Sequence, residues 1–285
     1  MQTSPLVTTD WLSAAISDGN GLSGDGRIIL LDASWHMPGT GRSGEEEFTQ
    51  GLIPGAVFFD IDAIVDETSD LPHTMPPAAQ FEKHMSTLGI SNDDTLVIYE
   101  KSPIPTAPRV WWMFRAMCHQ KVFVLDGGFA KWQKEERPIT TDRVSLEPSQ
   151  YTASLNKRLF RSANQVAANI ANKDEQVIDA RATGRFNGTD AEPRAGVRSG
   201  HIPGSQNLPF SDLYQNGALK PAADLEKVIA AANIDLKTPL VASCGSGVTA
   251  CNLAIALAVL GKWDTAIFDG SWSEWGADDT LPIEI

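Results

Sequence analysis

The sequence predicts an α/β protein made of two copies of one domain, each a parallel sheet with helices on both faces. Two observations support this fold class. Short apolar runs alternate with helix-like stretches along the chain, a pattern typical of parallel sheets covered by helices. The two halves of the 285-residue chain also share segments in the same order. Two domains of about 140 residues each account for this length.

Three pairs of matching segments define the repeat. The members of each pair lie 143 to 149 residues apart. The pairs are RIILLDASW (27–35) with QVIDARATGRF (176–186), GLIPGAVFFDID (51–62) with GHIPGSQNLPF (200–210), and VFVLDGGFAKW (122–132) with AIFDGSWSEW (266–275). The nearly constant spacing indicates duplication of a whole domain.

Each copy has three apolar runs that predict strands and a periodic segment that predicts a helix. The predicted strands are 28–33, 96–99 and 122–125 in the first copy, and 177–180, 239–243 and 266–268 in the second. The predicted helices are 78–89 and 223–234. Residues 138–157 are polar, contain two prolines and predict a linker. We therefore expect domains at 1–137 and 158–285.

Composition argues against two classes of partner. Acidic residues outnumber basic ones by 36 to 23, which gives a formal net charge of −13. Nucleic acid is not expected to bind, because phosphate contacts need clustered Lys and Arg. No run approaches the ~18 apolar residues that cross a bilayer, so a membrane is not expected as a partner. A small anionic substrate would need a local basic pocket to offset the negative field.

The cysteines indicate free thiols. Cys118, Cys244 and Cys251 are odd in number and include no CxxC pair, so neither a disulfide framework nor a zinc site is expected. No metal and no cofactor is predicted. The first residues show no basic segment followed by an apolar run, so no secretory signal is expected. We predict a reducing, cytoplasmic location, where a free thiol persists.

The segment PLVASCGSGVTA (239–250) predicts the functional site. A buried strand ends just before Cys244 and a helix is expected over 248–260, so CGSG makes a tight turn. Gly245 and Gly247 allow backbone angles closed to other residues, and the N–H groups of the turn can converge at the helix N-terminus. There Cys244 is expected to be stabilised as a thiolate and to act as a nucleophile. The alternative is a buried structural cysteine.

The first copy differs at the position of the cysteine. Its aligned stretch, LVIYEKSPIPTAPRVWW, has Glu100 there. Pro103 and Pro105 lack the N–H groups that an anion-binding turn would need. One copy is therefore built for an anion and the other is not, which favours a catalytic second domain and an inactive first domain.

The motifs CGSGVTA, GHIPG and DGSWSEW together resemble those of the tandem-domain rhodanese family of sulfurtransferases, and among these the mercaptopyruvate branch. The resemblance covers essentially the whole chain. It implies two rhodanese-like domains, of which the second is catalytic. It also implies that Cys244 takes the outer sulfur of 3-mercaptopyruvate as a persulfide and that pyruvate leaves. A thiol acceptor, such as thioredoxin or a small thiol, or cyanide then removes the sulfur.

Related chemistries compete for such a loop. Tyrosine-phosphatase-like enzymes need an arginine six residues after the cysteine, where this chain has Ala250. Thiosulfate sulfurtransferases resemble the chain closely but have basic residues directly after the cysteine. Gly245 and Ser246 are uncharged, which favours mercaptopyruvate, because its carboxylate lies away from its sulfur. Thiosulfate sulfurtransferase and a non-catalytic persulfide carrier in a sulfur relay are the alternatives.

Two arginines are candidates for binding the donor. By resemblance, Arg185 and Arg194 match the substrate-binding arginines of the family. Arginine can hold a planar carboxylate through two parallel hydrogen bonds, which lysine cannot do. The alternative is that both form surface ion pairs, with Asp190 and Glu192.

The remaining candidates fall into two groups. The loop residues expected to bind substrate are Gly245, Gly247, Val248 and Thr249. The others would assist the leaving pyruvate enolate. Ser246 can hydrogen-bond the substrate carbonyl or relay a proton. The resemblance adds Asp62 and His73 as a helper pair for Ser246. Alternatively, Asp62 caps a helix at 62–66 and His73 is an ordinary loop residue.

Overall fold

The computed structural model describes residues 4–17 and 27–285. Its contacts divide the chain into two units, Met1–Asp66 with Met75–Asn156, and Glu67–Thr74 with Lys157–Ile285. Each unit contains a five-stranded sheet, and the strand pairs of both sheets are parallel. The prediction of two α/β domains built on parallel sheets is confirmed.

The first unit carries one sheet and five helices among its described residues. Its strands are β1 (Leu6–Val7), β2 (Ile28–Asp32), β3 (Ala56–Phe58), β4 (Thr95–Tyr99) and β5 (Val122–Leu125). Its helices are α1 (Thr9–Ser17), α2 (Gly44–Gln50), α3 (Ala78–Thr87), α4 (Ala107–Ala116) and α5 (Gly128–Lys134). The strand order is β1-β5-β4-β2-β3. Strands β2 and β4 are runs of consecutive buried residues, as expected where both faces of a sheet are covered.

The second unit repeats this arrangement. Its sheet strands are β6 (Phe160–Arg161), β7 (Gln176–Asp179), β8 (Gln206–Asn207), β11 (Leu240–Ser243) and β12 (Ala266–Phe268), and a two-stranded antiparallel ribbon is formed by β9 (Tyr214–Gln215) and β10 (Ala218–Leu219). Its helices are α6 (Ala163–Asn172), α7 (Thr183–Phe186), α8 (Ala222–Ala231), α9 (Ala250–Val259) and α10 (Ser271–Trp275). The sheet order, β6-β12-β11-β7-β8, matches that of the first unit strand for strand. The internal repeat is therefore a repeat of structure.

Helix α9 is a core helix. Every residue from Ala250 to Ala258 is buried, as expected of a helix that is apolar on all sides. It begins at residue 250, two residues later than the sequence predicts, so the loop after β11 spans residues 244–249. No helix in the described ranges combines the length and the apolar character needed to cross a membrane.

Most of the segment predicted as a linker belongs to the first unit, which extends to Asn156. Thr140 pairs with Leu52 through two backbone hydrogen bonds, of 2.8 and 3.0 Å. Tyr151 is buried, with its ring 5.8 Å from that of Phe81. The N–H of Asn156 donates to the carbonyl of Ala116 at 2.7 Å. Polar composition marked this segment as irregular, but its attachment depends on backbone pairing that composition does not reveal.

In the first unit, a carboxylate stands where the second unit has its cysteine. Glu100 follows β4 as Cys244 follows β11. Its Oε2 accepts a hydrogen bond of 3.0 Å from the N–H of Ala107, the first residue of α4. Burial raises the pKa of Glu100 to about 7; the Ala107 N–H opposes this rise and the nearby Asp32 adds to it. In the first unit, the Glu100 side chain thus occupies the N-terminus of α4.

We expect Glu100 to lower stability as the pH rises. In the unfolded chain its carboxyl ionises near the ordinary pKa of 4.5, whereas the folded protein keeps the proton until about pH 7. The stability of the folded state is therefore unaffected by this group below the unfolded pKa and decreases between the two pKa values, by about 3 kcal/mol in total. Glu100→Gln keeps the neutral form. It should raise the free energy of unfolding at about pH 8 by more than at about pH 5.

Urea unfolding of the wild type and of Glu100→Gln at both pH values measures the change in the free energy of unfolding. Glu45→Gln, at an exposed glutamate of α2, provides the baseline for loss of a carboxylate. An equal effect of Glu100→Gln at both pH values would contradict the prediction.

Candidate active site

The candidate active site is the loop of residues 244–249, between β11 and α9. Cys244 follows the last residue of β11 and is 1% exposed. β11 lies between β12 and β7 inside the sheet, so Cys244 stands at the carboxyl end of an internal parallel strand. Ligands of open α/β sheets bind at this end of the strands.

The last helix of the unit holds the backbone of Cys244. The Trp272 N–H donates to the Cys244 carbonyl at 2.9 Å. The Cys244 N–H donates to Ser271 Oγ at 3.1 Å, and this hydroxyl donates to the Phe268 carbonyl at 2.8 Å. Ser271 has a φ of 49°, a left-handed conformation that is uncommon for a residue with a side chain. Such conformations persist where the surroundings hold them, often at functional sites.

The amides of the loop form a group of available donors. Within the described ranges, no acceptor is found for the backbone N–H groups of Gly245, Ser246, Val248, Thr249 and Ala250. Val248 and Ala250 are buried, and buried N–H groups in proteins are paired as a rule. These amides also lie at the N-terminus of α9, where partial positive charge accumulates. The loop is therefore suited to bind an anion.

The two loop glycines are required for different reasons. Gly247 has a φ of +78°, a conformation that glycine adopts without steric cost. Gly245 is outside the left-handed region, so the expectation of an unusual backbone angle there is wrong. A Cβ at Gly245 would instead lie 3.2 Å from Nη2 of Arg185. This glycine allows the guanidinium to approach the loop closely.

Arg185, on α7, is fixed by a buried carboxylate. Its Nε donates to Glu192 Oε1 at 3.1 Å and its Nη2 donates to Glu192 Oε2 at 2.5 Å. The Glu192 side chain is 4% exposed. The ion pair considered as an alternative role for Arg185 is thus present, but it joins a partly exposed guanidinium to a buried carboxylate beside the loop. Pairing with Glu192 and binding of a donor are therefore compatible.

Arg181 belongs to the same cluster and was not among the predicted residues. Its buried guanidinium makes hydrogen bonds of 2.7 to 3.1 Å with the Asp179 carboxylate. It also donates to Glu192 Oε1 and to the Gly200 carbonyl, both at 2.8 Å, and lies 4.3 Å from the ring of Trp272. An acidic residue at the end of a buried strand needs a cationic partner, so the DAR sequence that begins at the last residue of β7 was a signal for Arg181.

Arg194 is connected to the loop through a hydroxyl. Its Nη1 donates to Ser273 Oγ at 2.7 Å. Ser273 in turn donates to the Gly245 carbonyl from both Oγ (2.6 Å) and N–H (2.8 Å). Asp190, the partner considered as an alternative, has its carboxylate against Gly184. Both predicted arginines are therefore held beside the residues that follow Cys244.

The structure brings Ser246 and His73 together. Ser246 Oγ and His73 Nδ1 are 3.1 Å apart. His73 is buried and has a φ of 58°. Although it comes early in the chain, it lies in Glu67–Thr74, which belongs to the second unit. The alternative of an ordinary loop residue does not account for this contact.

Asp62 belongs to the first unit. Its Oδ2 accepts a hydrogen bond of 2.8 Å from Trp35 Nε1. Residues 61–63 form a turn and residues 64–65 a bend, so the helix proposed at 62–66 is wrong. The side chain of Asp60 stabilises this turn, because its Oδ1 accepts the N–H of Asp62 at 2.9 Å.

The other cysteines have different surroundings. Cys251 is buried in α9, where its Sγ donates to the Gly247 carbonyl at 3.2 Å. Cys118 is exposed in the first unit. None of the three cysteines forms a disulfide. Only Cys244 stands at the strand end beside the unpaired amides.

Similarity to known proteins in sequence and in structure identifies the family of this chain. A model of the rhodanese-like domain matches residues 8–135 and 162–278. Mouse 3-mercaptopyruvate sulfurtransferase is 41% identical over 273 residues, which are 95% of this chain and 91% of the relative. Rat thiosulfate sulfurtransferase is 44% identical over 275 residues, with the same coverage. The crystal structure of SseA from Escherichia coli, described with the fold and mechanism of 3-mercaptopyruvate sulfotransferases, matches with a TM-score of 0.84 at 36% identity and covers 95% of this chain and 99% of that one.

The chain belongs to the rhodanese family, in its tandem-domain form. The resemblance to tandem-domain sulfurtransferases that the motifs indicate is confirmed. The two-domain fold class is confirmed with it, because the matched regions lie in the two repeated units.

Proposed function

We propose that this protein is a sulfurtransferase that takes sulfur from 3-mercaptopyruvate, carries it as a Cys244 persulfide and passes it to a thiol or to cyanide. The observation that carries the proposal is the loop itself. A buried cysteine at a strand end adjoins five backbone N–H groups that have no acceptor among residues 4–17 and 27–285. Such donors stabilise a thiolate, and then the anionic outer sulfur of a persulfide.

The first half-reaction follows from this arrangement. The Cys244 thiolate attacks the sulfur of the donor, and the carbon–sulfur bond breaks as the new sulfur–sulfur bond forms. The electron pair of the broken bond passes to the carbon, which gives the enolate of pyruvate. Uptake of one proton by that carbon completes pyruvate. In the second half-reaction the acceptor attacks the outer sulfur, and Cys244 leaves as a thiolate.

The arginines support an acid as the donor. Arg185 and Arg194 supply positive charge beside Gly245, within a chain whose net charge is −13. The N–H groups of Val248 and Thr249 add donors for the reacting sulfur. Because the relatives include both mercaptopyruvate and thiosulfate enzymes at similar identity, the choice of donor depends on the loop. Its uncharged Gly245 and Ser246 favour the donor whose charge lies away from the sulfur.

Ser246 and His73 support proton transfer. Their separation of 3.1 Å is a hydrogen-bond distance. A hydroxyl held by imidazole can donate to the forming enolate oxygen or relay a proton. Asp62 remains in the proposal as a helper on the family resemblance alone. The absence of a disulfide among the three cysteines supports a reducing, cytoplasmic setting. A small thiol or thioredoxin as acceptor rests on the family resemblance.

Cys244→Ser should abolish sulfur transfer, because a hydroxyl cannot carry the persulfide. We expect kcat to fall by at least about a thousandfold. Steady-state release of pyruvate with mercaptopyruvate, and sulfur transfer with thiosulfate under the same acceptor, measure activity and donor preference together. Cys118→Ser, at the exposed cysteine, is the control. A wild type that prefers thiosulfate would favour the alternative donor.

Arg185→Ala should raise KM for mercaptopyruvate by about 10- to 100-fold, because a charge-assisted contact to the donor carboxylate is lost. Initial rates over a range of donor concentrations measure the change. Arg161→Ala is the matched control, since Arg161 also pairs with a glutamate, Glu175, through Nε and Nη2. A persulfide carrier would load sulfur equally well in both variants.

Ser246→Ala should lower kcat by about a hundredfold with little change in KM, because it removes a group that acts on the enolate. Single-turnover formation of pyruvate separates this step from sulfur release. Ser211→Ala, at an exposed serine, serves as the comparison. A kcat equal to that of the wild type would show that the Ser246–His73 contact is structural.

A further inference from the structure

Glu192 connects two guanidinium groups beside the loop. Its Oε1 accepts from Arg181 Nη1 (2.8 Å) and from Arg185 Nε (3.1 Å), and its Oε2 accepts from Arg185 Nη2 (2.5 Å). Arg181 is anchored in turn by Asp179, whose side chain is 2% exposed. The contact with Arg181 therefore fixes the position of the Glu192 carboxylate. The carboxylate in turn fixes the position of the Arg185 guanidinium.

The contact with Glu192 determines which edge of Arg185 faces the loop. Two parallel hydrogen bonds from Nε and Nη2 hold the guanidinium in the plane of the Glu192 carboxylate. The other edge consists of Nη1 and the second N–H of Nη2. Nη1 donates to no residue in the ranges that the structure describes, and Nη2 lies 3.2 Å from the position of a Cβ on Gly245. This edge presents two parallel N–H groups at the loop.

We propose that Glu192 is a positioning residue that determines donor specificity, by fixing the plane of Arg185 so that its outer edge grips a planar carboxylate. The inference rests on the proposed function, because it concerns the choice between the donors of the same site. Glu192 does not touch the donor, and it acts through Arg185.

The two donors make different demands on such an edge. The carboxylate of mercaptopyruvate is planar and is bound best by two parallel hydrogen bonds, which require a defined guanidinium plane. The central sulfur of thiosulfate is tetrahedral, and its three equivalent oxygens can accept hydrogen bonds from several directions. Thiosulfate needs positive charge nearby more than a particular plane. Loss of the clamp should therefore weaken mercaptopyruvate selectively.

The test compares kcat/KM for the two donors in wild type and Glu192→Gln. We expect the ratio of mercaptopyruvate to thiosulfate to fall by about tenfold, mainly through KM for mercaptopyruvate. Thiosulfate should be used as well as before or better, because a negative charge beside Arg185 has been removed. Glu175→Gln is the matched control, since it breaks the equivalent pair with Arg161. Its ratio should equal that of the wild type.

Two further variants separate orientation from charge and from folding. Glu192→Asp keeps the charge but shortens the side chain, so it should also lower the ratio and serves if Glu192→Gln does not fold. Arg185→Lys keeps the positive charge without the planar edge. In that background Glu192→Gln should cause no further fall in the ratio, because the residue through which it acts has already lost its plane.

The outcomes are distinct. Equal losses for both donors, or a full further fall in the Arg185→Lys background, would overturn the positioning role. A wild type that prefers mercaptopyruvate while Glu192→Gln keeps the wild-type ratio would overturn this inference and leave the proposed function intact. A wild type that uses only thiosulfate would overturn the proposed donor and this inference with it.

Discussion

A buried aspartate lies at the carboxyl end of the same strand in both units, and its charge must be paired. Asp32 ends β2 and Asp179 ends β7. An unpaired carboxylate at such a place would cost several kcal/mol. In the first unit the partner is Lys101, 3.6 Å away. In the second it is Arg181, which also donates to Glu192. Glu192 in turn pairs with Arg185 beside the 244–249 loop.

The two loops differ in length and in what occupies them, while the carbonyl of their first residue is held in the same way. The carbonyl of Cys244 accepts the N–H of Trp272 at 2.9 Å, and the carbonyl of Glu100 accepts that of Phe129 at 3.1 Å. The carboxylate of Glu100 accepts the N–H of Ala107, whereas the N–H groups of residues 245, 246 and 248–250 have no acceptor in the part of the chain that the structure describes. Both copies thus hold the strand end alike, and in the first copy a carboxylate of the chain itself accepts from the helix N-terminus. The second copy remained suited to an external anion.

The sequence predicted the parts of the site that depend on local pattern. The strand before Cys244 and the anion-binding turn follow from apolar runs and glycine positions, and the repeat identified Glu100 as its counterpart. The sequence did not single out Arg181, and it offered the pair between Arg185 and Glu192 only as a surface ion pair. Glu192 lies on an irregular segment with no periodicity, so its burial could not be predicted from its neighbours in the chain.

The sequence by itself determined the duplicated α/β frame and pointed to Cys244 as the candidate nucleophile, because strand periodicity and turn chemistry are properties of adjacent residues. Only the tertiary structure decided that Glu67–Thr74 belongs to the second unit, with His73 beside Ser246. It also decided that one carboxylate binds two arginines at the loop. These contacts join residues far apart in the chain. Such contacts form because charged and polar groups that are buried together must pair with one another. Which groups are buried together is decided only when the helices and strands pack.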